Sequence, residues 1–213
     1  SDTERQALEA GTVWIDGELF GGNPDFQKML AENYNQLSAE EQAFIDGPCE
    51  QLLQMMDRYE IARTKRVPEA VLDFVKKEGF MSFLIPKEYG GKHFSKLAIS
   101  TIMAKVMPAN AAVGTFVVIP NTLGAAELII QYGTKAQKDH YLPRLARGEY
   151  IPCFGLTEPT AGSDAASIKA EGEVFRDADG ELKLKLNFRK RYITFAPVAN
   201  IATIACRLHD PQI

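Results

Sequence analysis

The sequence predicts an α+β chain, in which a run of antiparallel helices gives way to the start of an antiparallel, barrel-like β-sheet domain. Three observations predict it. From residue 38 to about 148, helix-start signals recur with apolar positions at helical spacing and short breaks between them, the pattern of a bundle. After Tyr150 the apolar period changes from 3.6 to 2, as expected where helices yield to strands. Asp179-Gly180 stands between two strand-like runs, a strong hairpin signal. The chain thus divides into an irregular arm over residues 1–37, a helical domain over 38–149 and a β domain over 150–213 that need not be complete.

The elements follow in order. Trp14, Ile15, Leu19 and Phe20 are apolar points around Gly17, and Gly21-Gly22-Asn23-Pro24 is turn chemistry, hence the irregular arm. Ser38 opens a helix, and Glu41 three residues on completes a capping box. Gly47-Pro48 interrupts it, with Pro48 as first residue of a second helix to about residue 61. Leu52, Leu53, Met55, Met56 and Tyr59 form its core-facing stripe. Pro68 starts a helix through residue 77 that Gly79 ends. The stretch 85–91 is a loop with a tight double-glycine turn. Ser95 caps a helix to about residue 107, and helices over 109–118 and 121–132 come next. Thr134 with Gln137 marks another capping box, whose helix ends between 145 and 148. Strands are expected over 151–156, 170–175, 182–186, 190–195 and 200–208.

Composition narrows the function. Hydrophobic residues are 46% and charged residues 24%, the balance of a globular chain with a sizeable core. A net charge of −4 provides no basic footprint, so no nucleic-acid partner is expected. Cys49, Cys153 and Cys206 are odd in number and far apart, which with no signal-peptide pattern at Ser1 argues for a reducing compartment. His93, His140 and His209 have no metal-ligand spacing, and neither a Rossmann nor a P-loop glycine pattern is present. Residues 106–126 lack charge and are long enough to cross a bilayer, but Pro108, Gly114, Pro120 and Gly124 break them. Two buried helices explain that stretch better.

The segment from Gly155 to Asp164 is where chemistry concentrates. Cys153, Phe154 and Leu156 belong to a strand that Pro159 stops. The small residues after it include Gly162, which lets a ligand approach the backbone. Such a loop can turn successive amide N–H groups toward one point and so suits a pyrophosphate, while Thr157 and Ser163 add hydroxyls. Taken alone, pieces such as Thr-Glu-Pro or Gly-Ser-Asp read better as an ordinary strand-end turn.

The full string decides between those readings. Gly-Leu-Thr-Glu, two residues, Ala-Gly-Ser-Asp, two residues, then Ser167 resembles the signature of the acyl-CoA dehydrogenase family at every position. Asn121-Thr122-Leu123-Gly124, Tyr132-Gly133-Thr134 and Tyr141-Leu142-Pro143 resemble the family's run into it. Asn187 and Lys190-Arg191-Tyr192-Ile193-Thr194 resemble its second flavin motif, with Tyr192 where most relatives have Trp. That wording looks most like the long-chain bacterial enzymes of fatty-acid degradation, and the resemblance covers roughly residues 65–211.

The resemblance implies an FAD enzyme that oxidises the Cα–Cβ bond of medium- to long-chain fatty acyl-CoA to the trans-2-enoyl-CoA. A carboxylate takes the α-proton, and a hydride leaves the β-carbon for the flavin. Phe154, Leu156 and Thr157 would lie along the flavin ring, Gly162 and Ser163 near its pyrophosphate, and Tyr192, Ile193 and Thr194 on the ring's other side. Ser163 would also touch the CoA part. Leu123, near Asn121 and Thr122, would line the acyl cavity, and Ile119 hints at a deep one. The family's catalytic Glu lies in a C-terminal helical domain absent from these residues, which makes this stretch inactive alone, and Glu158 is a structural loop residue. An electron-transfer flavoprotein-type acceptor, a homo-oligomeric parent and a bacterial cytoplasm complete the expectation. A flavin oxidase or hydroxylase on the same scaffold, or a non-catalytic assembly module, are the alternatives.

Overall fold

The computed structural model describes residues 15–122 and 124–211, so Trp14 and Leu123 lie outside the described residues. The chain forms two compact units, residues 1–36 and 37–213. In the first, α1 (Ile15–Phe20) and α2 (Phe26–Ala31) form where an irregular arm was expected. Local hydrogen bonds supply the reason. Asp25 caps α2 by accepting from the N–H groups of Gln27 and Lys28, both at 3.0 Å. The Glu18 carboxylate in turn takes the Asp25 N–H at 2.9 Å and the Lys28 ammonium at 3.1 Å, closing the Gly21-Gly22 turn.

The second unit begins at the capping box. Ser38 accepts from the Glu41 N–H and Glu41 from the Ser38 N–H, which starts α3 (Ala39–Phe44). The other oxygen of Glu41 accepts the Ser95 N–H at 2.6 Å, so the same side chain ties α3 to the start of α7 (Lys96–Ala109). Burial raises this carboxyl, but the N–H and hydroxyl groups of Ser38 and Ser95 outweigh it and hold the group at about 2.

Gly47-Pro48 does not interrupt the helix. A π-helical turn, Ile45–Cys49, carries the chain through, because the widened turn absorbs the donor that Pro48 lacks. It continues into α4 (Glu50–Met55), and the break comes later, at Met56, where Asp57 caps α5 (Arg58–Thr64). That break turns the expected stripe: Leu52 and Met56 are buried, whereas Met55 and Tyr59 are exposed. Helix α6 (Glu69–Lys77) ends at Gly79 as predicted. The core of these helices is aromatic. Phe44 meets Phe80, Phe83 and Phe94 edge-on with centroids 4.9, 5.4 and 5.3 Å apart, each pair adding about 0.5–1.5 kcal/mol beyond burial.

Helices α7 and α8 (Ala111–Val118) meet at Asn110, which caps α8. The helix expected from residue 121 starts four residues later, as α9 (Ala125–Tyr132), because Asn121 and Thr122 sit in a turn. The capping box of Thr134 and Gln137 opens α10 (Lys135–Ala146). No helix among the described residues is long and apolar enough to cross a membrane. A second core cluster of Ile85, Ala125, Ala126, Leu142, Leu145 and Ala146 packs on Ile201, and so seats the α9–α10 hairpin on the sheet.

Strand β1 (Pro152–Gly155) pairs in parallel with β4 (Ile201–Ile204). Strands β2 (Glu171–Arg176) and β3 (Leu182–Asn187) form the predicted hairpin around Asp179-Gly180, and β5 (Arg207–His209) joins β2 in parallel, so the antiparallel pairing expected throughout holds only in the hairpin. No barrel closes among the described residues. The run 200–208 splits at Ala205-Cys206. Residues 190–195 run irregularly into a turn at Thr194 rather than forming a strand, because Tyr192 and Phe195 take φ of +58° and +70° and cannot extend a ladder. Cys49 and Cys153 are buried, Cys206 is half-buried, and all are free thiols. Burial pushes the Cys49 thiol up to about 11.

Candidate functional site

Strand β1 delivers the first motif, and the loop after it is held by one carboxylate. Glu158 is buried. Its oxygens accept the N–H groups of Lys169 at 2.7 Å and Ala170 at 3.0 Å, and its backbone pairs with Ala161. It also receives the Lys190 ammonium at 2.7 Å, and the two side chains are only 4% and 5% exposed. The Lys190 ammonium beside it, helped by the Lys169 N–H, holds the Glu158 carboxyl below its ordinary range.

Lys190 belongs to the second motif, so this pair stitches the two motifs together. Its ammonium also donates to the Leu156 carbonyl at 3.0 Å, and the Arg191 N–H donates to the Thr157 carbonyl at 3.0 Å. The structure therefore brings Leu156 and Thr157 against Lys190 and Arg191. Tyr192, next in line, is 80% exposed, with the Arg191 guanidinium 4.6 Å from its ring centroid. Gly162, Ser163 and Thr194 are also exposed.

The two faces of the β1–β4 pair differ. Phe154 aligns with Thr203, while Cys153 and Gly155 align with Ala202 and Ile204 on the other face. Phe154 looks onto the start of α9, lining a pocket of about 120 Å³ with Thr122, Gly124, Glu127 and Leu128. The opposite face opens an apolar groove of about 430 Å³ lined by Gly155, Phe188, Ile193, Ala196 and Ile204 among others. Phe154 and Ile193 are thus on opposite faces. Asn121, expected beside the acyl cavity, is buried and holds backbone instead, with its amide bonded to the Phe83 N–H and the Phe80 and Val117 carbonyls. Leu123 cannot be placed, since it lies outside the described residues.

The residues fit an anionic, hydrogen-bonding cofactor. Among the described residues, the backbone N–H groups of Thr157, Gly162, Ser163, Ile193 and Thr194 donate to no other group of the chain, and a Cβ at Gly162 would meet nothing within 4 Å. Unused donors on both motifs, on adjoining exposed loops, are what a bound ligand would satisfy. Sequence reasoning named Lys190 only as part of a motif. Its one signal was an opposite charge in each of two flavin motifs.

Comparison with known proteins places the chain among relatives. The chain is 35% identical over 142 residues to the 3-(aryl)acrylate reductase of Clostridium sporogenes, covering 66% of this chain and 36% of that one. It is 37% identical over 106 residues to the mitochondrial very long-chain specific acyl-CoA dehydrogenase of Bos taurus, covering 50% and 16% respectively. Among solved structures, the glutaryl-CoA dehydrogenase of Mycobacterium smegmatis superposes with a TM-score of 0.67 at 28% identity, covering 81% of this chain and 43% of that one. The chain thus spans well under two thirds of these relatives' own length. Residues 31–149 match the acyl-CoA dehydrogenase N-terminal domain and residues 153–212 the acyl-CoA dehydrogenase middle domain. With both domains matched in order along the sequence, the chain belongs to the acyl-CoA dehydrogenase family.

Proposed function

We propose that these residues are the flavin-holding part of an FAD-dependent oxidoreductase that acts on the Cα–Cβ bond of a fatty acyl-CoA of medium to long chain. The observation that carries this reading is the interlock of the two motifs, Glu158 with Lys190 and Thr157 with Arg191, beside unused N–H donors on each. FAD, when bound, supplies the hydride acceptor. The chain's own residues hold it: the amides of Thr157, Ile193 and Thr194 offer donors to the ring's polar edge, and those of Gly162 and Ser163 to the pyrophosphate. Phe154, with Thr122 and Leu128 around it, supplies an apolar surface for the flavin ring. The motif's own carboxylate cannot take the α-proton, because Glu158 is enclosed by Lys190 and two backbone N–H groups. Following the family resemblance, the base is assigned to a part of the protein outside these residues, and this stretch alone is expected to show no turnover.

The test is optical. The purified full-length protein incubated with FAD should carry a visible flavin spectrum that bleaches without oxygen on addition of palmitoyl-CoA. A protein that stays colourless sinks the reading. A second direction is favoured by two relatives named as reductases, the 3-(aryl)acrylate reductase and the caffeyl-CoA reductase-Etf complex subunit of Acetobacterium woodii. Both directions use one bond and one cofactor, and the latter name favours an electron-transfer flavoprotein as redox partner. Reoxidation of the reduced flavin by an enoyl-CoA faster than bleaching by the saturated thioester would assign this protein to the reductive direction.

A further inference from the structure

The second motif is a short strap stretched between two anchors. At its start, Lys190 and Arg191 are held by Glu158, Leu156 and Thr157. At its end, the Phe195 ring lies 4.6 Å, centroid to centroid, from Phe116 on α8. Between the anchors run Tyr192, Ile193 and Thr194, three residues assigned above to the cofactor. Tyr192 at the start of this span and Phe195 just after it take φ of +58° and +70°. Residues with side chains rarely adopt such conformations, and they persist only where the surroundings over-determine them. The Lys190 anchor is the stiffer kind, since an ion pair hidden from water with every oxygen of Glu158 engaged has no solvated alternative of comparable energy.

We propose that Glu158 and Lys190 are positioning residues for the flavin. Their ion pair fixes where the strap presents the amides of Ile193 and Thr194 to the cofactor. The inference rests on the flavin reading above, and it adds a function for two buried side chains whose polar atoms are engaged by each other and by backbone. Removing either charge leaves the other buried without its partner, so the strap relaxes toward ordinary φ values and the donors leave their places.

The experiment is a double-mutant cycle in the full-length protein, with Glu158→Gln, Lys190→Met and both together. FAD is titrated by quenching of its fluorescence, and thermal unfolding of the FAD-free protein is followed in parallel. Each single variant should lose roughly tenfold to a hundredfold in FAD affinity, as displaced positioning groups do. The double variant should be no worse than the weaker single, the sign of coupled residues. Lys190→Arg, which keeps the charge, should recover most of the affinity, and the spectrum of flavin bound to the weakened variants should shift. Wild-type affinity and an unshifted spectrum in the variants, however far their melting temperature falls, would overturn the proposal and leave the pair a purely structural one. Should Lys190→Met fail to fold, the near-isosteric Glu158→Gln decides by the same criteria. A wild-type protein that binds no FAD defeats the flavin reading and this inference together, an outcome distinct from intact binding in the variants.

Discussion

Asn121 is 3% exposed, and its amide closes three backbone groups that water cannot reach. Asn121→Leu strands all of them, and each buried unsatisfied group costs about 1–3 kcal/mol, so urea unfolding should report a loss of about 3 kcal/mol or more. Thr122→Val removes one bond, to the Val118 carbonyl at 2.7 Å on the exposed side, and should change the midpoint little. Glu41 titrates in the opposite sense to a buried lone acid. Its folded-state carboxyl sits at about 2, below the ordinary 4.5, so its stabilisation is complete above 4.5 and is lost as pH falls toward 2. The difference in unfolding free energy between wild type and Glu41→Gln should shrink across that window and be flat above it. Residue type alone reveals neither role. Ser38 and Glu41 announce a cap, but nothing in the spacing tells that the same carboxylate also reaches Ser95, 54 residues on.

At the scale of elements, local signals carried most of the fold. Both capping boxes and the hairpin form where their residues predict, because each is a short-range arrangement of side chain and backbone. Gly180 at φ +78° shows the turn's demand, and Gly180→Ala should lower stability by about 1 kcal/mol, read from thermal melts. What the sequence did not disclose was tertiary. Residues 190–195 have strand-like composition, yet Glu158 and Phe116 pull them into an irregular path. Pro48 looks like a helix start, but the chain has a wider turn available. The parallel partners β4 and β5 are chosen by packing far along the chain, which periodicity cannot encode. The two motifs were legible as a family resemblance because their spacing is specific, whereas the lock between them needed coordinates.

For the whole molecule, one sheet face stands out. Leu182, Leu184 and Leu186 alternate along β3 and stay 66%, 50% and 41% exposed, and Leu208 on β5, across β2 from them at Gly172, is 60% exposed. An apolar face of that kind across the β3-β2-β5 sheet promotes self-association. Residues 1–213 produced alone should therefore show an apparent mass above the 23.6 kDa of one chain in light scattering, and Leu184→Lys with Leu208→Lys should return it toward that value. An unchanged mass in the doubly substituted chain would locate the contact elsewhere.

The uneven covering of the three thiols gives the chain a built-in reporter. Cys206 sits in the break between β4 and β5, half open, while Cys49 lies within the helical core with its thiol pushed up to about 11 and Cys153 is buried on β1. A mild alkylating reagent therefore finds a single address on the native fold, and the second and third adducts become a clock that ticks only when the helices or the first strand come apart.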